Sequence, residues 1–371
     1  MEHPKLVFNQ ILKSLKWETG RIYEDHQNSL LYVVPADIFQ EIRIEMRAIV
    51  GSKVAKSLLY GLNQISADMI IQDGKEMGFA GNDLLRYFLA IMTLFGWGDV
   101  KSIEFNPDEC EGSLTLARFP QSRVLQTEPV HDDFSGILAR AIDLSFGKQC
   151  SVAEVSCCEV ARDTHECIYE IHSTPASSGT LESQVEVESI GKTDAKLIPV
   201  TAEFEEFRNR FSMPEDGVLM LSEGDKLERI VVKDVVSINS MLLKTADIIG
   251  WKTIGAMVYR VCRNYVIHDL EGRDSLTLDD IRDYLHKFSL FGWGLFEVQD
   301  EGGDAYQVTL ENAPFTAGFP LQQTATDYLV GGLLAGLFEK LIKSQVTVKE
   351  LECTAKGDPH CVFDVTPLQH K

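Results

Sequence analysis

The sequence predicts an α+β fold, mixed α/β in content, built as two tandem copies of one helix-covered antiparallel-sheet domain. Three observations carry this expectation. The pentapeptide Leu94-Phe95-Gly96-Trp97-Gly98 returns as Leu290-Phe291-Gly292-Trp293-Gly294, an offset of 196 residues. Predicted helices and strands come in groups, which favours a mixed sheet covered by helices over a doubly wound one. Between the repeats, residues 173–199 are rich in Ser, Thr, Gly and acids and poor in aromatics. A segment of that composition cannot bury enough apolar surface to order itself, so it reads as a flexible linker.

The offset holds well beyond the pentapeptide. Upstream it pairs Asp83 with Asp279, Leu85 with Ile281, Arg86 with Arg282, Phe88 with Tyr284, Leu89 with Leu285 and Met92 with Phe288. The apolar members lie three and four residues apart, one face of an amphipathic helix. Downstream the same offset pairs Gly136 with Gly332, Glu154 with Glu350 and Cys157 with Cys353. A chance match would not keep one register on both sides, so the chain reads as an old duplication. The domains expected are 1–172 and 200–371, joined by the linker at 173–199 and paired as an intramolecular pseudo-dimer.

Each copy then follows one plan. A short helix (Leu6 to Trp17; Phe204 to Phe211) leads to strands around Leu31 to Val34 and Arg229 to Val232. Long amphipathic helices follow across Ile38 to Ile65 and Val236 to Tyr265. Next comes the helix closed by Phe-Gly-Trp-Gly, where glycine supplies the C-terminal stop. Alternating strands succeed it (Lys101 to Phe105, Leu114 to Phe119; Leu295 to Gln299, Tyr306 to Leu310). A last helix (Asp133 to Phe146; Tyr328 to Lys343) precedes a closing pair of strands.

Composition narrows the function classes. The 371 residues, 44% hydrophobic and 25% charged, suit soluble globular domains with cores of their own. A formal net charge of −21 and the lack of a basic run oppose binding to nucleic acid and to anionic membranes. No stretch reaches the roughly 18 apolar residues of a spanning helix. The opening residues lack a cationic segment followed by a long apolar one, so a cytoplasmic protein is expected. Six of the eight cysteines, Cys150, Cys157, Cys158, Cys167, Cys353 and Cys361, fall near the two half-chain ends. In a reducing compartment that clustering points to metal or thiol chemistry.

The second copy closes with Glu350, Cys353, Gly357-Asp358-Pro359, Cys361 and Phe363. Side chains alternate along a regular strand, so Glu350 and Cys353 come together only if a bulge or strand end intervenes. The Gly-Asp-Pro turn folds Cys361 back toward Cys353. Two thiolates and a carboxylate suit zinc, which takes about four tetrahedral N, S or O ligands. A buried carboxylate beside two apolar cysteines is costly without a cation, which argues against plain core packing.

The run Glu-x-x-Cys-x-Ala-x-Gly-Asp-x-x-Cys-x-Phe, preceded by a helix carrying Gly332 and Gly336, resembles the closing signature of the 4-vinyl-reductase family domain. That domain occurs in tetrapyrrole-biosynthesis proteins and as the sensor domain of phenol- and xylene-responsive regulators, and is similar in fold to TRAPP tethering subunits. In sensor members a further cysteine ligand stands five residues before the first helix glycine. The resemblance therefore implies Asp327 as the fourth ligand here, and His131 at its counterpart in the first copy. There the corresponding set is His131, Glu154, Cys157 and Cys167, with Cys158 and His165 as alternatives and a turn two residues longer that lacks Gly-Asp-Pro. The sequence favours zinc in the second copy over the first.

With four protein ligands zinc would be structural rather than catalytic. Phe95, Trp97, Phe291 and Trp293 are candidates to line a ligand cavity, although aromatic corners more often anchor a helix to a sheet. No nucleophile motif, paired carboxylates, phosphate loop or dinucleotide fingerprint is present, and His131, His165 and His360 stand in none. The function expected is a non-catalytic sensor or carrier of a small hydrophobic or aromatic molecule, passing its signal to a protein partner. The alternatives are a tetrapyrrole-pathway protein, as vinyl reductase or porphyrin-substrate carrier, and an interaction scaffold.

Overall fold

The computed structural model describes residues 15–18, 20–24, 29–62, 64–117, 129–158, 166–174, 202–213, 219–224, 226–273, 275–316 and 327–368, with the single residues 13 and 160. It is a mixed α/β structure with antiparallel sheets. Strands β1 (Leu15–Glu18), β2 (Arg21–Glu24) and β3 (Ser29–Pro35) form an antiparallel ribbon. Helices α1 (Ala36–Val50), α2 (Ser52–Leu62), α3 (Gln64–Glu76) and α4 (Gly81–Leu94) follow. Then come β4 (Asp99–Asn106), β5 (Glu111–Ala117), α5 (Asp132–Phe146), β6 (Cys150–Ser156) and β7 (Glu166–Ser173).

The order then recurs. Helix α6 (Ala202–Asn209) leads into β8 (Phe211–Ser212), β9 (Met220–Glu223) and β10 (Lys226–Asp234), again antiparallel. Helices α7 (Val235–Ile249), α8 (Trp251–Asp269) and α9 (Leu278–Leu290) precede β11 (Leu295–Gly302) and β12 (Ala305–Glu311). The chain closes with α10 (Tyr328–Ile342), β13 (Val346–Glu352) and β14 (Cys361–Pro367). The two four-stranded sheets share one topology, β4-β5-β7-β6 and β11-β12-β14-β13. On β5 and β12 burial alternates with the pleat, turning Leu114 and Leu116, and Val308 and Leu310, into the core. Helix α5 covers one sheet through Phe134 on Tyr169, ring centroids 5.1 Å apart, and α10 the other through Phe338 on Tyr306 at 4.8 Å.

Internal packing divides the chain into two compact units. Unit 1 takes Met1–Ser14, Val34–Gly191 and Glu206–Lys233; unit 2 takes Leu15–Val33, Lys192–Glu205 and Asp234–Lys371. The boundaries expected from the sequence run linearly along the chain, whereas each unit here is discontinuous. The reason lies at the two Phe-Gly-Trp-Gly corners, which bind strand backbone. In unit 2, Val33 N–H donates to Phe291 O at 2.8 Å, Trp293 Nε1–H to Val33 O at 2.8 Å and Gly294 N–H to Gly20 O at 2.8 Å. In unit 1, Val232 N–H donates to Phe95 O at 3.1 Å. The linker expected at 173–199 lies, from residue 175 on, outside the described residues.

Two local expectations change. The helix expected over Leu6 to Trp17 is replaced at its end by β1, where Leu15 is buried and the Trp17 indole N–H donates to Ser289 O at 3.0 Å; residues 1–12 lie outside the described residues. The long helices break at Gly51 and Gly250, whose φ values of +80° and +84° no continuing helix adopts. Where Phe-Gly-Trp-Gly ends α4 and α9, the stop is a complete Schellman motif. Trp97 N–H reaches Met92 O and Gly96 N–H reaches Thr93 O, both at 3.0 Å, and Trp293 and Gly292 repeat both bonds on Phe288 and Ser289. Among the described residues no helix is long and apolar enough to cross a membrane.

Candidate metal centres and an adjoining cleft

The last two strands of each sheet bring the chemistry together. Register shifts between Glu154 and Ser156 and between Glu350 and Glu352, so each strand carries a bulge. The extra residues, Val155 and Leu351, turn outward, 49% and 37% exposed. That irregularity lets Glu154 share a side with Cys157, and Glu350 with Cys353, as their spacing requires.

In unit 1, one ligand atom each from His131, Glu154, Cys157 and Cys167 lies within 4.8 Å of all the others, and all four residues are buried. His131 Nδ1 stands 2.7 Å from Glu154 Oε1, 3.6 Å from Cys157 Sγ and 3.7 Å from Cys167 Sγ. Bond lengths to zinc near 2.3 Å for sulfur and 2.0–2.1 Å for nitrogen put tetrahedral N···S separations at about 3.6 Å. The two sulfurs thus stand at ligand spacing from the imidazole. Burial opposes charge on His131, but the Glu154 carboxylate and then the Cys157 thiol outweigh it and hold its pKa up to about 10. The proton shared between His131 and Glu154 occupies the place where a cation would act.

In unit 2 the cluster is Glu350, Cys353 and Cys361, again within 4.8 Å of one another. Asp327 stands where His131 does, one residue before its helix: Asp327 N–H donates to Glu350 Oε2 at 3.1 Å, as His131 N–H does to Glu154 Oε2 at 3.0 Å. Both carboxylate oxygens of Asp327 and Oε1 of Glu350 are buried and accept no hydrogen bond. Burial, then the Cys353 thiol, raises Asp327 to about 8; the Val330 N–H pulls the other way without capping the helix. Burial and Asp327 raise Glu350 to about 10. Three buried carboxylate oxygens without donors, beside two cysteine sulfurs, are a donor set that a cation satisfies and water does not reach.

Second-sphere contacts also recur. Cys158 N–H points at Cys167 Sγ at 3.5 Å and Thr354 N–H at Cys361 Sγ at 3.4 Å. Such amide contacts orient a thiolate and lower its basicity. The Gly357-Asp358-Pro359 turn is tied by Cys353 N–H donating to Asp358 Oδ2 at 2.8 Å. The set whose four members all meet lies in unit 1, although the sequence favours the second copy. The difference is the imidazole of His131, which reaches farther from its backbone than the shorter side chain of Asp327. Cys158 Sγ sits 3.2 Å from Cys167 Sγ outside the four-residue group, and His165 lies outside the described residues. His360 is half-exposed, facing Glu352 at 3.5 Å.

The aromatic corners are packed. Trp293 is 1% exposed, edge-on to Phe288 at 4.7 Å and to Phe315 at 4.8 Å, and Phe291 is fully buried. Trp97 is buried against Phe39 at 5.5 Å, under the Lys233 ammonium at 3.5 Å from its ring centre, while Phe95 is half-buried. These residues anchor helix, ribbon and sheet. Behind Phe315 lies a cleft that the sequence did not reveal. Its walls are Leu242, Ile254, Val258 and Phe315, half-buried Trp251 and Tyr328 stand at its mouth, and Asp327 forms its polar end. The free space is about 10 Å³, room for one water at most.

Residues 306–367, β12 through β14, match the 4-vinyl-reductase domain family. No curated protein matches the chain. Among solved structures it is similar to the phenol-responsive sensory domain of the transcription activator PoxR with phenol, at 17% identity and TM-score 0.37, over 45% of this chain and 90% of that one. It is similar to a vinyl-4-reductase family protein from Methanocaldococcus jannaschii, at 21% identity and TM-score 0.25, over 30% and 68%. A trafficking protein particle complex subunit 3 from Naegleria fowleri, covalently bound to palmitic acid, matches at 15% identity and TM-score 0.28, over 37% and 92%. The strands and helix that bear Glu350, Cys353 and Cys361 are therefore those of a 4-vinyl-reductase domain, which this chain carries over residues 306–367.

Proposed function

We propose that the chain is a tandem duplication of a 4-vinyl-reductase-type domain whose task is to hold a small apolar molecule, with a structural zinc bracing each half. The observation that carries the reading is the buried, donorless carboxylate set of Asp327 and Glu350 beside Cys353 and Cys361, matched residue for residue by His131, Glu154, Cys157 and Cys167. Four protein ligands close a zinc coordination sphere, and a closed sphere fixes geometry rather than activating substrate. Zinc held there would tie the start of α5 or α10 to the bulged strand and the returning strand.

The cleft of unit 2 shares Asp327 with this cluster, so a ligand at the mouth and a metal at the base act on one residue. Its aromatic and aliphatic lining suits a small flat molecule held mainly by apolar contact. Entry requires Trp251 or Tyr328 to turn aside, which would carry occupancy to the start of α10 and from there to a protein partner.

Native mass spectrometry of the full chain tests this. Two zinc ions per chain are expected, falling to one in Cys353→Ser and in Cys157→Ser. Fully folded protein with no metal would overturn the coordination argument.

A further inference from the structure

The apolar cleft has no counterpart in unit 1, and the residues that replace it are specific. Helix α10 presses Gly332 against Tyr259 of α8, and α5 presses Gly136 against Tyr60 of α2. This fixes which residues correspond: an offset of 199 across the first helices and 196 at the last. Leu242 then stands where Arg43 does, Leu329 where Asp133 does, Tyr328 where Asp132 does and Gly255 where Lys56 does.

In unit 1 those four positions are charged and paired. Arg43, 1% exposed, donates through Nε and Nη2 to Asp133 Oδ2 at 3.1 and 2.5 Å, and Asp133 is fully buried. The Arg43 guanidinium also lies over Phe39, 4.4 Å from the ring centre, and donates to Gln40 Oε1 at 2.9 Å. Beside it Arg47 pairs with the buried Asp132, which Lys56 approaches at 3.7 Å from the mouth. An apolar molecule entering here would part the Arg43–Asp133 pair and leave each charge buried without its partner, which is far less favourable than either state alone. In unit 2 the same volume is bounded by Leu242 and Leu329 and offers no such resistance.

We propose that the first half has lost its ligand site to the Arg43–Asp133 and Arg47–Asp132 ion pairs, so that the chain takes one molecule of a small neutral aromatic compound, in unit 2 alone. This rests on the ligand-binding reading above and adds to it a stoichiometry and a location. Unit 1 then serves as the rigid half of the pair, its shape set by charge rather than by occupancy. Leu242 and Leu329 are the residues that keep the second site open.

The test uses 2-naphthol, a neutral fluorescent aromatic, titrated into the full-length chain with methyl-labelled isoleucine. One equivalent is expected to bind, shifting the Ile254 methyl resonance and leaving Ile42 and Ile137 in place. The variant Leu242→Arg/Leu329→Asp, which transplants the unit 1 pair, is expected to weaken binding at least tenfold. Should that variant not fold, the resonance pattern of the unaltered chain decides by itself. Two equivalents bound, or shifts at Ile42 and Ile137 equal to that at Ile254, would overturn the asymmetry and leave the ligand reading standing. Binding at neither unit would overturn the ligand reading, and this inference with it.

Discussion

A methyl group on Gly332 would lie 2.2 Å from the carbonyl oxygen of Tyr259, closer than any folded backbone tolerates. The matching pair, Gly136 and Tyr60, is tighter still at 1.8 Å. The contact atom is backbone, so the helices themselves must part. Gly332→Ala is expected to destabilise the protein by about 3 kcal/mol, the upper end of the overpacking range. Gly331→Ala, one residue earlier, meets only the Tyr259 ring at 3.4 Å and should be neutral or slightly stabilising, since alanine is the better helix former. Thermal unfolding of the two variants side by side checks this; equal losses would mean that helix propensity, not close approach, sets the cost.

Metal-free protein is expected to lose stability as pH rises. The folded chain holds Asp327 up at about 8 and Glu350 at about 10, whereas both groups ionise in the ordinary carboxylate range once unfolded. Between those limits the folded state binds more protons than the unfolded one, so unfolding becomes easier with rising pH. The contribution is complete below about pH 4 and is lost as pH passes through the two raised values. Zinc competes with those protons, so the loaded protein should show the opposite trend. Urea midpoints at pH 5.5 and 8.5, with and without chelator, would show it; identical slopes would remove the metal from the account.

Among the cysteines of unit 1, selectivity is expected. Cys157 and Cys167 belong to the four-residue group, while Cys158 reaches Cys167 at 3.2 Å without joining it. Cys158→Ala should keep the full metal content and Cys167→Ala should lose one ion, measured by elemental analysis of folded protein. Loss in both would make Cys158 a ligand.

Trp293→Phe should cost about 1–3 kcal/mol, the penalty for leaving the buried Val33 carbonyl without its indole donor. Trp97→Phe should cost less, because its ring meets the Lys233 and Arg43 cations by its face, a contact that phenylalanine partly retains. Chemical denaturation of the pair gives the comparison, and a reversed order would contradict it.

Much of this was legible in the sequence, for identifiable reasons. The Leu-Phe-Gly-Trp-Gly repeat marks two Schellman motifs because the motif needs glycine at one position and an apolar residue after it. The bulge at Leu351 followed from the conflict between a three-residue spacing and a two-residue pleat. Less visible was the cleft behind Phe315, since its walls come from α7, α8 and α10 and none is distinctive alone. Arg43 had offered a signal: a guanidinium among Phe39, Ile42 and Met46 on a buried helix face must meet a partner, and Asp133 is that partner. The discontinuity of the units was hidden because strand pairing is non-local. Nothing in Leu15 to Val33 says which corner it will bind.

That discontinuity sets a timetable for synthesis. Unit 1 needs residues 206–233 to finish its fold, and the ribbon at 15–33 belongs with residues that follow 234. A chain leaving the ribosome at roughly 5–20 residues per second therefore carries its first strands unmatched for tens of seconds. Cutting between residues 174 and 202 would yield two fragments, each lacking strands that its own corner binds, so neither should persist alone while the two together should reassociate.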